Sequence, residues 1–547
     1  MKRVFAVLAL AAVSAGCNEG DDLVIPVEKQ PFPGITLATP APVTYVYNPV
    51  LIRSEGPAGA PGLASAAPTV EGGDGTSYVL VEIARVPAVM VGGQRVQAND
   101  IVLRQNTAYA AYNTQGDPWV GAVQVIDISQ PAHPVPTTEI QFEHMDINAV
   151  GLDGTQTLLI SGAADPAFSE EGFLAFASRV ATSTLDPNEL ATNVVGLPSF
   201  AGTGITRHGN SYYVGVGAED GGIEVLDGDF VLTGALEMAD VRDVESYDGG
   251  VIAVAGKADA GGGAGTVVLA PGGNLSSASL LTIDAFDSDY HKATIEVFGD
   301  VALLGLSQAG FKVLDLGSGS YLEEIPNPDP FVTGQLTNTN SVSTDGNLVF
   351  TANGEYGFRV FRPEDGDFGD LTQIGFINWE LDNGGDLLSG ETYSANHIEA
   401  KSKYVFVASG AYGVIVYTLV EQGSCTYTQG FWGNHGHVWP VESLTLGSVT
   451  YSKEQLLSIL ADASTGNGLI NLARQLIAAK LNVASGTADT DVASAIADAD
   501  ALIGDLVVPP VGEGFLDPSA TSALVDALAA YNEGDTGPGH CDGSPAN

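Results

Sequence analysis

Positive charge is what this chain lacks most. Its 547 residues include only 20 Lys and Arg against 66 Asp and Glu, a formal net charge of −46. A surface of that sign repels nucleic-acid phosphates and anionic lipid, so no nucleic acid is expected among its partners. The imbalance suits a saline or divalent-rich medium and speaks of solubility, not of fold. Cysteine is nearly missing too, with three residues, which excludes a small disulfide-dense scaffold. There is no Cys-x-x-Cys, Gly-x-Ser-x-Gly elbow, P-loop or His-Glu-x-x-His, so the common signatures of redox, esterase, nucleotide and zinc-protease chemistry are lacking. Beyond the first residues no apolar run is long enough to cross a bilayer.

What is present is a repeat. Gly121-Ala-Val-Gln-Val-Ile-Asp127 recurs in degenerate form as Gly222–Asp227, Gly310–Asp315, Gly357–Phe361 and Gly413–Tyr417, and more weakly at Phe173–Phe176 and Gly265–Leu269. Each copy follows a partner run such as Thr107–Tyr112, Ser211–Gly215 or Tyr404–Ala408. Counted from the first apolar residue of a preceding strand, the units begin at Ile101, Ile147, Ile205, Val244, Ile295, Val342 and Ile398, about 50 residues apart on average. That length accommodates four short strands, the size of one propeller blade. The strands are apolar on both faces, so one sheet cannot bury itself and must pack between neighbours. The spacing predicts an all-β seven-bladed propeller over residues 76–423, followed by a small all-α domain. The second unit matches most poorly, which leaves six or eight blades as alternatives. Thr76–Val86 is an extra strand placed to complete the last blade.

The segment Val123-Gln-Val-Ile-Asp-Ile-Ser-Gln-Pro131 resembles the LVIVD-repeat family of bacterial envelope proteins, over roughly three-fifths of the chain. That resemblance implies a propeller scaffold and no particular reaction.

The N-terminus reads as a targeting segment. Lys2 and Arg3 precede an apolar run over residues 4–13, and Ser14-Ala15-Gly16-Cys17 resembles a lipobox with Ser where Leu is usual. Residues 1–17 are therefore expected to be a lipoprotein signal with Cys17 as the lipid-attachment site. Asn18-Glu-Gly-Asp-Asp22 looks like the acidic tether of lipoproteins exposed on the outer membrane, which predicts an envelope, surface-exposed location. Residues 18–75, rich in Pro, Gly and Ala, read as a flexible spacer.

From residue 424 to 547 the pattern turns helical. Ser452 with Gln455 forms a capping box, Ile470, Ala473, Ile477 and Leu481 a core stripe, and Asp517-Pro518 a helix start. Cys425 and Cys541 bracket this module and are expected to pair in an oxidising compartment. The competing possibility is a metal site from His435, His437, His540 and Cys541. Phe431, Trp432 and Trp439 are expected to cap the helical core rather than form a sugar platform.

A second regularity concerns chemistry. Residues flanking the seven unit starts include Asp100, Asp146, Asp243, Glu245, Glu296, His397 and Glu399, all expected at one end of the channel. Such a ring could bind a ligand or a hard cation such as calcium. Asp and Ser also cap strand entries through backbone hydrogen bonds, which is the plainer reading. The sequence therefore points first to a non-enzymatic envelope lipoprotein that binds an extracellular protein or glycan. The alternative is a polymer-degrading hydrolase or lyase, or a calcium-dependent enzyme, using acids at the channel mouth.

Overall fold

The computed structural model describes residues 31–541, apart from 51–69, 72–76, 132, 170–173, 218–220, 257–263, 285, 287–291, 330–335, 380–392, 423–424, 437–438, 440, 442, 463–465, 486 and 488–491. Cys17 and the signal segment lie outside the described residues.

Seven antiparallel sheets follow one another along the chain. Their innermost strands are Gln97–Arg104, Met145–Asp153, Ala201–His208, Val241–Tyr247, Thr294–Phe298, Ser341–Asp345 and His397–Lys401. Each contacts the next, and the last contacts the first, so the ring closes. The recurring Gly-x-x-Val strand is the third strand of each blade, buried on both faces. Its Gly has a local cause. Gly357 and Gly413 adopt positive φ, and a side chain there would collide with the carbonyl of Ile377 or Val86 in the neighbouring outer strand. The Asp that ends the motif turns the chain: Asp127 Oδ1 accepts from Ser129 N at 2.8 Å, and Asp315 Oδ1 from Ser318 N at 2.6 Å.

The interior is divided. One apolar cluster fills each interface between successive blades, seven in all among the described residues. The cluster joining the last blade to the first unites Phe406, Val414 and Val416 with Ala98, Ile101 and Tyr112. Polar clasps reinforce these interfaces. In five of the seven blades the side chain two residues before a core-strand apolar residue donates to a backbone carbonyl of the following blade. Asn99 reaches Ile147 O (3.2 Å), Asn148 reaches Gly202 O (3.0 Å) and Thr203 reaches Val241 O (2.9 Å). Asn340 reaches Ala395 O (3.0 Å), and Asn396 reaches Ala98 O (2.9 Å), closing the circle.

Ser77–Val86 pairs antiparallel with Val414–Gln422 and completes the seventh blade, as the sequence predicts. The expected spacer is partly ordered instead. Ile35–Ala38 pairs with the outer strand of blade one, and Thr44–Val50 with the outer side of Ser77–Val86. Residues 31–50 thus span the seam where the ring closes. Open sheet edges there offer unpaired backbone groups, which the backbones of these two added strands satisfy despite the Pro-rich surroundings.

The C-terminal module contains the four expected helices, Lys453–Ala461, Gly468–Ala484, Ala493–Ile503 and Pro518–Asn532. A short helix, Gln429–Asn434, and a hairpin of Ser443–Leu446 with Val449–Ser452 are added. The capping box at Ser452 and the Asp517 cap are present. Cys425 and Cys541 form the disulfide. The disulfide removes Cys541 from the metal alternative, and His435 and His540 each place Nδ1 2.9 Å from a backbone carbonyl, of Phe431 and Thr426. His437 lies outside the described residues. Trp432 and Trp439 are buried in one core with Tyr451 and Tyr531, as caps rather than a platform. Among the described residues, no helix is long and apolar enough to cross a membrane.

Candidate functional site

The channel along the ring axis collects ionisable groups because an innermost strand has no partner on its inner edge. Its N–H groups need acceptors from elsewhere. Asp100 Oδ2 accepts from Val150 N of the next blade at 2.9 Å, and Asp243 Oδ2 from Ile295 N at 2.8 Å. Ser341 and Ser343 serve Ile398 N and Ala400 N in the same way. The plain capping role is therefore real, but it does not exhaust the site.

Six of the seven predicted residues, Asp100, Asp243, Glu245, Glu296, His397 and Glu399, line one axial cavity of about 230 Å³. Asp146 does not join them. The innermost strands of blades one and two bulge at the same place, Asn99 and Asn148, so Val150, not Ile147, is equivalent to Ile101, and Ala149 takes the channel position. Asp146 instead binds the loop of blade one, accepting from Thr114 N (2.8 Å), Thr114 Oγ1 (3.0 Å) and Gly116 N (2.6 Å). Burial raises its carboxyl to about 6 in spite of those bonds.

The remaining six form two layers. In the upper layer, at the end where inner strands begin, His397 Nδ1 lies 2.7 Å from Asp100 Oδ1. Lys292 crosses the axis to the same oxygen at 2.9 Å, donates to Asn99 O, and sits 3.2 Å from His397 Nδ1. Burial opposes ionisation of Asp100, yet Lys292 and His397 together hold it well below the usual carboxylate range. Burial would likewise lower His397, but Asp100 outweighs it and the imidazole is raised. Its other nitrogen, Nε2, faces Glu399 Oε1 at 3.7 Å. Asp243 is pushed up to about 6, by burial first.

In the lower layer Glu245, Glu296 and Glu399 come from three different blades with no cation between them. Burial and then Asp243 raise Glu245 to about 8, and burial with Glu399 and Glu245 raises Glu296 well above an ordinary carboxyl. Thr206 Oγ1 donates to Glu245 at 3.2 Å. Among the described residues, no group of three or more His, Cys, Asp or Glu has the arrangement to hold a metal ion, so the calcium reading gains no support from geometry.

Glu245 and Glu296 also face a second cavity, about 500 Å³, at the opposite end of the axis. Arg207, His208, Ser246, Tyr247 and Asp248 line it. Sequence reasoning missed this cavity and Lys292. Lys292 stands three residues before Ile295, and its only advance signal is the scarcity of cations in the chain. The acidic turn Asp365–Asp370 is a hairpin turn, with Asp367 Oδ1 accepting from Gly369 N at 2.8 Å.

No protein-family model matches the chain, and no curated protein does. Among solved structures, the chain is similar to the computationally designed Ika8 protein at 13% identity, covering 61% of this chain and 99% of that one with a TM-score of 0.34. It is similar to the RRP9 WD40 repeats at 12% identity, with 61% and 99% covered and a TM-score of 0.41. U3-55K matches at 11% identity, with 60% and 98% covered and a TM-score of 0.42. Likenesses this distant carry no argument about what the chain binds.

Proposed function

We propose that this chain is a non-enzymatic lipoprotein of the cell envelope whose closed seven-bladed ring is a rigid binding platform for an extracellular protein or glycan. The observation that carries binding over catalysis is the internal pairing of the upper axial layer. His397 has a carboxylate on each ring nitrogen, and Asp100 is shared between Lys292, His397 and a backbone N–H. An imidazole held between two acids has its proton affinity raised and is poorly suited to pass on a proton taken from substrate. Rigid blades with variable connecting loops suit recognition instead. The lipobox-like Ser14–Cys17 and the LVIVD-like repeat support an outer-membrane, surface-exposed location with a lipid anchor on Cys17. Cys17→Ala should move the protein from the membrane to the soluble fraction; retention in the membrane sinks the anchor.

The test of the platform is capture from the native envelope with the full chain as bait. A retained protein or glycan partner supports it. No retained partner, together with breakdown of a polysaccharide or peptide pool by the purified chain, overturns it. One observation favours that hydrolase or lyase reading: Glu245, raised to about 8, keeps its proton near neutrality, Glu296 is raised beside it, and both open onto a cavity, as a general acid must. Glu245→Gln and Glu296→Gln would then abolish turnover.

A further inference from the structure

The cavity at the turn end of the axis is built by consecutive inner hairpins of blades three, four and five: Arg207–Gly209, Ser246–Asp248 and Val297 with Gly299. At about 500 Å³ it has the size of a small-molecule site, whereas the upper cavity of about 230 Å³ does not. Its walls are not simply acidic. The Arg207 guanidinium is paired with Asp153 and lies over the Tyr212 ring, so its charge is already spent. Tyr247 presents a half-buried ring on the wall. Gly249 makes room for that ring, since a side chain there would meet Tyr247 Cε2 at 2.5 Å. His208 and Ser246 add further hydrogen-bonding groups. The floor is Glu245 and Glu296.

We propose that this cavity binds a neutral polyhydroxylated ligand, a sugar unit, stacked on Tyr247 and hydrogen-bonded by Glu245, Glu296, His208 and Ser246. This deepens the platform reading by assigning it a glycan pocket, and it rests on that reading. The geometry supplies one aromatic face and several convergent donors and acceptors, the combination that vicinal hydroxyls require. A protonated carboxyl such as Glu245, raised to about 8, can both give and accept a hydrogen bond, which an ammonium ligand cannot use in full. Anions meet Asp248 at the mouth. The charged groups that face the floor are Asp243 and Glu399 beside it, Asp100, Lys292 and His397 above, and Arg207 and Asp248 below. The two upper cations are both committed to Asp100, so raising pH ionises the floor without a counter-charge.

The sign of the pH dependence separates a sugar from a cation. The full chain is titrated by calorimetry with neutral mono- to trisaccharides of glucose, galactose, mannose and N-acetylglucosamine, and with putrescine. Saccharide binding should hold at pH 7 and weaken about tenfold at pH 9, as Glu245 passes its raised value. Glu245→Gln/Glu296→Gln should bind across that range with less than about a twofold change, because the amides stay neutral. Tyr247→Ala should lose binding while its melting curve shows the ring intact; Tyr247→Phe should retain most of it. Affinity that grows with pH, preference for putrescine, or no saccharide binding at about 10 mM overturns the assignment, the last being weaker than any specific site of this size. A captured envelope protein with no saccharide binding would sink the pocket and leave the platform standing.

Discussion

Propeller and helical module bury comparable apolar side chains, yet they differ in where they tolerate charge. The propeller divides its interior into seven thin cores and leaves an axis where side chains from separate blades meet. Every buried Asp, Glu, Lys or Arg among the described residues, including Glu82, Asp100, Asp146, Lys312 and Arg359, belongs to it. The module gathers one core around Trp432, Trp439, Leu472 and Tyr531. Its buried polar groups are neutral. Asn482 bridges Tyr427, Trp432 and Asn532, and Asn532 continues to Gln475, so the amides satisfy one another. A ring brings unpaired inner edges together and so recruits acids to serve them; a single core has no such edge. That difference is why the chemistry sits on the axis.

The sharpest way to break the comparison is at the closing strand. Ala84 is buried and lies between Tyr45 and Val416 in the ladder. Ala84→Pro removes a donor from a central strand and should cost about 3 kcal/mol or more, abolishing the propeller's melting transition and leaving the module's. Retention of both transitions would mean the ring does not depend on that strand. The converse is Cys425→Ser with Cys541→Ser. A bridge across 116 residues stabilises by roughly 4–5 kcal/mol in the chain-entropy account, so the module's transition should fall while the propeller's stays. Dithiothreitol should reproduce that shift in the parent chain. Smaller still is Asn396→Ala, which removes one of two donors to Ala98 O, Gly410 N remaining, and should cost about 1 kcal/mol in the propeller alone.

Much of this architecture was legible in the residues. Two-sided apolar strands force sheets to stack, and the Gly and Asp of the motif mark the tight approach at Gly413 and the turn at Asp127. The disulfide followed from counting cysteines. Six axial residues were found by aligning strand starts, since equivalent positions in a ring share one end. Asp146 was misplaced because the second blade offers two apolar residues, Ile147 and Val150, and Val150, three residues later, is the equivalent of Ile101. Lys292 precedes its strand, so no periodicity marks it. The order of residues 35–50 was hidden because pairing on an outer edge needs little hydrophobicity. The turn-end cavity arises from three hairpins that no local pattern relates.

The claim on which the rest depends is that Glu245 and Glu296, from neighbouring blades, meet at the axis with no cation paired to either among the described residues. The direct measurement is the melting temperature from pH 5 to pH 9 of the parent chain and of Glu245→Gln/Glu296→Gln. Glu245 is raised in the folded state to about 8 from 4.5, and Glu296 is raised too. Their contribution is therefore fully present below about pH 4.5 and is lost as pH rises through the folded value. The account predicts that the variant gains on the parent steadily from pH 5 to pH 9, by several °C at the alkaline end, on the order of 2 °C for each kcal/mol. Parallel curves over that range would contradict it.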